Sequence, residues 1–234
     1  MAEYFQYCPV ARACEILADR WTPLIVRELL AGSRRFNEIE RGLPGISRSL
    51  LASRLRHLED TGVVERRMSN RPNKSEYELT DAGRDLQSVV DQLGAWGVRW
   101  AFGEPRPQEL DPVLLLWKVH QRINRHLLPP KRTVIEFDFT GPLARCLWLV
   151  VEPREVSVCL KPPGFDSDLI IRADLAFFYQ VWLGHIDYAD ALRSHRLIVE
   201  GPARLARDIP RWFMWSPMAR FVRSERKPSS NFVR

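Results

Sequence analysis

Apolar positions recur at helical spacing through the first hundred residues, and then the period changes. Leu51, Leu55 and Leu58 lie four and three apart and make one stripe of a helix that starts after Ser47 and stops at Gly62. Ser47 suits an N-cap, because its hydroxyl can accept an otherwise unpartnered backbone N–H. Gly62 suits the residue that closes a helix in a left-handed conformation. Phe36, Ile39 and Leu43 predict a shorter helix upstream, and Leu43-Pro44-Gly45 turns the chain between the two. Two β-prone runs follow, residues 63–68 and 75–79, joined by the polar segment 69–74. Thr80 then caps a long amphipathic helix with Leu86, Val89, Val90, Leu93, Trp96 and Trp100 on one face.

Beyond residue 103 the texture differs. The stretch GEPRPQELDP, residues 103–112, holds three prolines and little apolar content. It divides the 234 residues into a first domain over 1–103, a linker over 104–112 and a second domain over 113–234. After a helix expected over residues 113–128, short β-rich runs occupy residues 132–201, broken by Gly141-Pro142, Pro162-Pro163-Gly164 and Gly201-Pro202. Helices are expected over 175–182 and around Leu205, Ile209 and Phe213. The expected fold class is therefore α+β: a helical first domain with one hairpin, then a sheet with helices on one face.

Composition adds charge to this picture. The formal net charge is +6, and Arg outnumbers Lys by 30 to 5. Arginine carries a planar fork of donors that matches phosphates and guanine edges. Charge by halves points away from the first domain, at +1 for residues 1–103 against +5 for residues 104–234. The local count points back: residues 34–74 contain ten basic and five acidic side chains. Cysteines are four, without C-x-x-C or zinc-ligand spacing, so neither a disulfide framework nor a metal site is expected. No apolar run approaches the roughly 20 residues of a membrane span, and the first residues lack a signal-peptide pattern. A reduced, cytoplasmic protein without membrane insertion is the expectation. Catalysis and a cofactor are not expected, since Gly-rich phosphate loops, H-E-x-x-H and G-x-S-x-G are all missing.

The chemistry concentrates on the Ser-capped helix. At about 100° per residue, Ser49, Ser53 and Arg56 fall opposite the leucine stripe, and Arg48 and Arg54 flank them. Such a helix can bury its leucines and offer donors to a major groove about 12 Å wide. Short helix, tight turn, Ser-capped helix and hairpin make a winged helix-turn-helix. Arg67, Arg71 and Lys74 are placed to meet phosphates, and Arg48 and Arg54 to meet base edges or nearby phosphates.

Ordered phrases from about Tyr7 to Trp100 carry a resemblance. They include Cys8-Pro9-Val10, Asp19-Arg20-Trp21-Thr22-Pro23, Arg35-Phe36-Asn37-Glu38-Ile39, Gly45-Ile46-Ser47, Arg54-Leu55, Leu58-Glu59, and Glu76-Tyr77-Glu78-Leu79-Thr80-Asp81-Ala82-Gly83. In these the chain resembles the HxlR-type winged-helix transcriptional regulators. The resemblance implies a homodimer bound to double-stranded DNA at a pseudo-palindromic operator. It places the recognition helix over residues 47–60 and the wing over 63–79. A helix bearing Leu93, Trp96 and Trp100 calls for a cover, either a partner subunit or the second domain. The resemblance also implies a redox role for Cys8, beside Arg12; the alternative reading is a small buried hydrophobe.

The second domain resembles the sterol-carrier-protein (SCP2-like) domain in its order of elements and in two phrases, Asp168-Leu169-Ile170-Ile171-Arg172-Ala173 and Leu197-Ile198-Val199-Glu200-Gly201-Pro202. That resemblance implies an apolar tunnel for a small-molecule effector, walled by Leu147, Leu149, Val158, Leu160, Phe177, Phe178, Val181, Trp182 and Phe213. Taken singly, each also reads as ordinary core. The expected function is a dimeric repressor modulated by an apolar small molecule. The alternative is a lipid or small-molecule binding protein whose winged helix serves protein–protein contacts.

Overall fold

The structure is a computed structural model and describes residues 4–68, 75–153 and 155–225. It forms two compact units, Met1–Leu93 and Gly94–Arg234, which divide within a long helix rather than at the proline-rich stretch.

In the first unit, α1 (Pro9–Leu17) and α2 (Thr22–Leu30) both carry proline in their first turn, where its missing N–H costs nothing. Next come α3 (Phe36–Arg41), α4 (Arg48–Asp60), an antiparallel hairpin of β1 (Val64–Met68) and β2 (Ser75–Leu79), and α5 (Asp81–Trp100). Ile25, Val26, Ile39, Leu43, Leu51, Leu55, Leu58, Val64 and Leu79 form the core under α4. Glycines make two close approaches here. An added Cβ at Gly42 would overlap the carboxylate of Glu28, which is fully buried beneath the turn after α3. At Gly83 it would collide with the carbonyl oxygen of Val63, so only glycine lets α5 start against the hairpin.

The second unit is a five-stranded mixed sheet in the order β5-β4-β3-β6-β7. Its strands are β3 (Thr133–Thr140), β4 (Arg145–Val151), β5 (Val156–Cys159), β6 (Leu169–Asp174) and β7 (Leu197–Glu200). All neighbours are antiparallel except β3 and β6. The register sets Ile135 and Phe137 opposite Leu149 and Leu147 on one side and Leu169 and Ile171 on the other. These make one apolar face, buried under α6 (Pro112–Gln121), α7 (Leu175–Trp182) and α9 (Ala203–Trp212). The opposite face is polar: Arg172 bridges Asp138 at 2.7 Å and Glu200 at 2.9 Å, and the Trp148 indole N–H donates to Glu136 at 3.2 Å. That alternation suits a sheet wet on one side.

One expectation is corrected, and two short helices are added. The helix expected over 113–128 ends at Gln121, because Ile123 pairs with Phe213 and the Arg122 guanidinium turns to the carbonyls of Met214 and Trp215. Leu127 then sits in a 3-10 turn and faces solvent. Helices α8 (Tyr188–Arg193) and α10 (Ala219–Glu225) have too few apolar positions to announce themselves.

Candidate nucleic-acid interface

Local chemistry builds the helix-turn-helix. The backbone N–H groups of Arg34 and Arg35 donate to Glu38 at 2.9 and 3.0 Å, which fixes the entry into α3. Gly45 takes φ +90° in the turn, a conformation that L side chains avoid. Ser47 caps α4 by accepting the Leu50 N–H at 3.3 Å, and Gly62, at φ +72°, follows its last turn. Leu51, Leu55 and Leu58 are wholly buried, so the opposite face is forced outward. Ser49, Ser53 and Arg56 occupy that face and are exposed. Thirteen residues of α4 extend about 20 Å, enough to lie along a groove.

The flanking arginines behave differently from that face. Arg48 is exposed, but it pairs with Glu40, reaches Asn37 Oδ1 at 3.3 Å and lies 4.8 Å over the Phe36 ring. Arg54 is turned sideways and half-buried: one of its amino groups donates to Asp19 Oδ1 at 2.8 Å and the other pairs with Oδ2. Asp19 lies in the turn between α1 and α2, so this pair ties α4 to that turn. Arg54, expected to meet a base edge or a nearby phosphate, thus has its fork held by a carboxylate of its own chain in this structure. Asp19 carries no local signal in the sequence, being 35 residues away from its partner.

The wing is anchored at its base. Tyr77 N–H donates to the Arg34 carbonyl at 2.7 Å, and burial pushes the Tyr77 phenol above its ordinary value. Thr80 Oγ1 donates to the Gly62 carbonyl at 2.6 Å and accepts the Gly83 N–H at 3.2 Å. Arg67 is exposed and lies between Glu65 and Glu78, at 3.2 Å from the latter. Arg71 and Lys74 lie outside the described residues.

Comparison with known proteins gives the family. The model of the HxlR-like helix-turn-helix family matches residues 16–104. The HTH-type transcriptional regulator YvaP of Bacillus subtilis is 42% identical over 97 residues, which are 41% of this chain and 90% of that relative. The chain belongs to the HxlR-like helix-turn-helix family. A second relative, the HTH-type transcriptional regulator Rv3095 of Mycobacterium tuberculosis, is 42% identical over 109 residues, 46% of this chain and 66% of that protein. Among solved structures, the reduced form of the transcriptional regulator YodB from B. subtilis is 37% identical over 41% of this chain and 96% of that one, at a TM-score of 0.37.

Within this HxlR-like chain the remaining predicted positions fall out as follows. Cys8 is a half-buried free thiol just before α1. The Arg12 guanidinium, one turn on, is held by Glu15 Oε2 at 3.0 Å. On α5, Val89, Leu93, Trp96 and Trp100 are exposed, Trp96 by 61%. In the second unit, Leu147, Leu149, Phe177, Phe178, Val181, Trp182 and Phe213 are closed core, and Val158 packs against them. Phe137 fills the space among them, with its ring centroid 5.8 Å from Phe178 and 6.1 Å from Phe213. Leu160 is 48% exposed, because it follows the last residue of β5 and leaves the sheet. Of the nine residues expected to wall a tunnel, eight thus lie in or against one apolar core, and Leu160 faces solvent. Among the described residues no three His, Cys, Asp or Glu side chains group as a metal site, and no helix is long and apolar enough to cross a membrane.

Proposed function

We propose that this protein is a sequence-specific DNA-binding transcriptional regulator. The observation that carries the reading is α4 itself: a helix with a fully buried leucine stripe on one side and Ser49, Ser53 and Arg56 exposed on the other, beside a two-stranded wing. Hydroxyl and guanidinium donors on one exposed face suit base edges in the major groove, and Arg48 and Arg67 suit adjacent phosphates. The names of the relatives support the same reading. The exposed apolar face of α5 supports a homodimer, in which two-fold pairing sets the two α4 helices about 34 Å apart on a pseudo-palindromic operator. Such a dimer represses by occluding a promoter.

The finer reading gives the second unit an SCP2-like role with an apolar effector. Helices on one face of a mixed sheet, over an aromatic interior, support it. The ligand would enter by parting a helix from the sheet, and its differential affinity for two states would shift DNA binding by about 1–3 kcal/mol. The deciding experiment is selection of bound fragments from genomic DNA by the purified protein, followed by affinities across a salt series. One enriched inverted repeat, with affinity falling steeply as salt rises, is the expected result. Enrichment of no sequence refutes the reading.

A further inference from the structure

The outer face of α9 is a row of arginines that the winged helix does not account for. Helix α9 reads ARLARDIPRW. Ile209 and Trp212 are buried, and Leu205 and Ala206 pack against the core of the second unit. Arg204, Arg207 and Arg211 stand on the opposite side and are exposed. Arg204 and Arg207 have no carboxylate partner among the described residues, while Arg211 lies 3.6 Å from Asp208. Spacings of three and four put like charges on neighbouring turns, where they repel. An anionic partner would turn that repulsion into attraction. The 3-10 turn Arg125–Leu127 packs against α9 and adds exposed Arg125 and His126, held there by the Asn124 N–H donating to the Trp212 carbonyl at 2.8 Å.

We propose that this face binds the phosphate backbone of duplex DNA flanking the operator, without reading sequence. The inference rests on the DNA-binding reading above. From Arg204 to Arg211 the helix rises about 10 Å. Laid along the duplex axis, that is the length of about three base pairs. Every cation of the row on α9 is arginine, whose fork fits phosphate oxygens. A membrane surface fits less well: an interfacial helix must put its apolar side into lipid, and that side of α9 is committed to the core.

The test compares the full-length protein with an Arg204→Gln/Arg207→Gln/Arg211→Gln variant. Each is titrated with the inverted repeat recovered by genomic selection, once trimmed to the repeat and once extended by about one to two helical turns on each side. The parent binds the extended duplex at least tenfold more tightly. The variant loses that advantage, and its log-affinity against log-salt slope on the extended duplex falls by about 2–3 units per protomer, at about 0.9 for each phosphate no longer neutralised. Affinity for the trimmed duplex stays the same, which shows that the variant is folded. A triple Arg→Lys variant, which keeps the charges, retains most of the slope.

Equal affinity of the parent for both duplexes overturns the proposal, as does a glutamine variant that keeps the advantage. So does binding to phosphatidylserine vesicles that the variant loses while its DNA affinity is unchanged. A parent that prefers no sequence, but loses affinity for any long duplex in the variant, refutes the operator reading and leaves the α9 surface standing.

Discussion

The pair between Asp19 and Arg54 decides whether an arginine on the recognition helix reads DNA or holds the helix in place. One amino group donates to Asp19 Oδ1 at 2.8 Å and the other pairs with Oδ2, so the fork is engaged twice. The side chains are 23% and 29% exposed. A fully exposed pair contributes up to about 1 kcal/mol. Removing one partner of a buried pair costs about 3–5 kcal/mol. This pair lies between those limits, so its coupling should be about 1–2 kcal/mol. A double-mutant cycle with Asp19→Ala and Arg54→Met measures it; Met keeps much of the arginine stem, so lost packing does not pass for lost charge. Stability is read from urea unfolding, and operator affinity from the same four proteins. If Arg54 positions α4, both single variants lose affinity by a similar factor of about 5–30, and the sequence preference of the bound site stays the same. If Arg54 reads a base, Asp19→Ala frees it and affinity holds or rises, while Arg54→Met relaxes preference at one position. The second pattern refutes the reasoning.

Three further outcomes follow from particular residues. Leu93→Asp or Trp96→Glu should convert the proposed homodimer to monomer in sedimentation velocity and weaken operator binding at least tenfold; an unchanged dimer would place the interface elsewhere. Gly83→Ala should destabilise the first unit by about 1–3 kcal/mol in urea unfolding, because the new methyl meets the Val63 carbonyl oxygen, although alanine's propensity alone favours a helix by about 1 kcal/mol; a stabilised variant contradicts the packing of α5 on the hairpin. Tyr179 and Tyr188 are both pushed up to about 12 by burial, so the folded state holds their protons more tightly than the unfolded state does. Their contribution is complete below pH 10 and is lost as pH rises from about 10 to 12, by about 2 kcal/mol each; tyrosinate absorbance that rises fully by about pH 10.5 without unfolding would contradict it.

Elements set by local chemistry were legible in the sequence, and those set by long-range pairing were not. Ser47, Gly62, Thr80 and the leucine stripe placed α4, the wing and the start of α5 because caps and periodicity act within a few residues. The runs around 133–140, 145–151 and 169–174 announced strands by β-rich composition, yet nothing local said that β3 would pair with β6 in parallel. The end of α6 was missed because its cause, the pairing of Ile123 with Phe213, spans the whole second unit. The aromatic positions were correctly apolar, but periodicity cannot tell a tunnel wall from a filled interior. Asp19 was invisible for the same reason as the end of α6: its role exists only once α4 is packed beside the turn after α1.

Charge shows the same division most clearly, and it links the two candidate DNA surfaces. Counting residues makes the segment 34–74 strongly basic. Folding brings acids to it from outside and inside that segment: Glu78 beside Arg34 and Arg67, Glu76 beside Arg35, Glu40 beside Arg48, and Asp19 beside Arg54. Arg56 and Arg66 are left without a carboxylate partner among the described residues, and of the two only Arg56 lies on α4. On the proposed DNA-binding reading, a chain with so many arginines internally neutralised would gain specificity from Ser49, Ser53 and Arg56 but limited long-range attraction for phosphates. Arg204 and Arg207 in the second unit keep their full charge, so the higher net charge of that unit acquires a purpose: affinity from α9 and selectivity from α4. On that division, Arg56→Gln should relax sequence preference with little change in salt slope, and the α9 triple variant should lower the slope with preference intact. Measuring both quantities on both variants separates the two roles, and a variant that moved both together would show that the chain does not divide them.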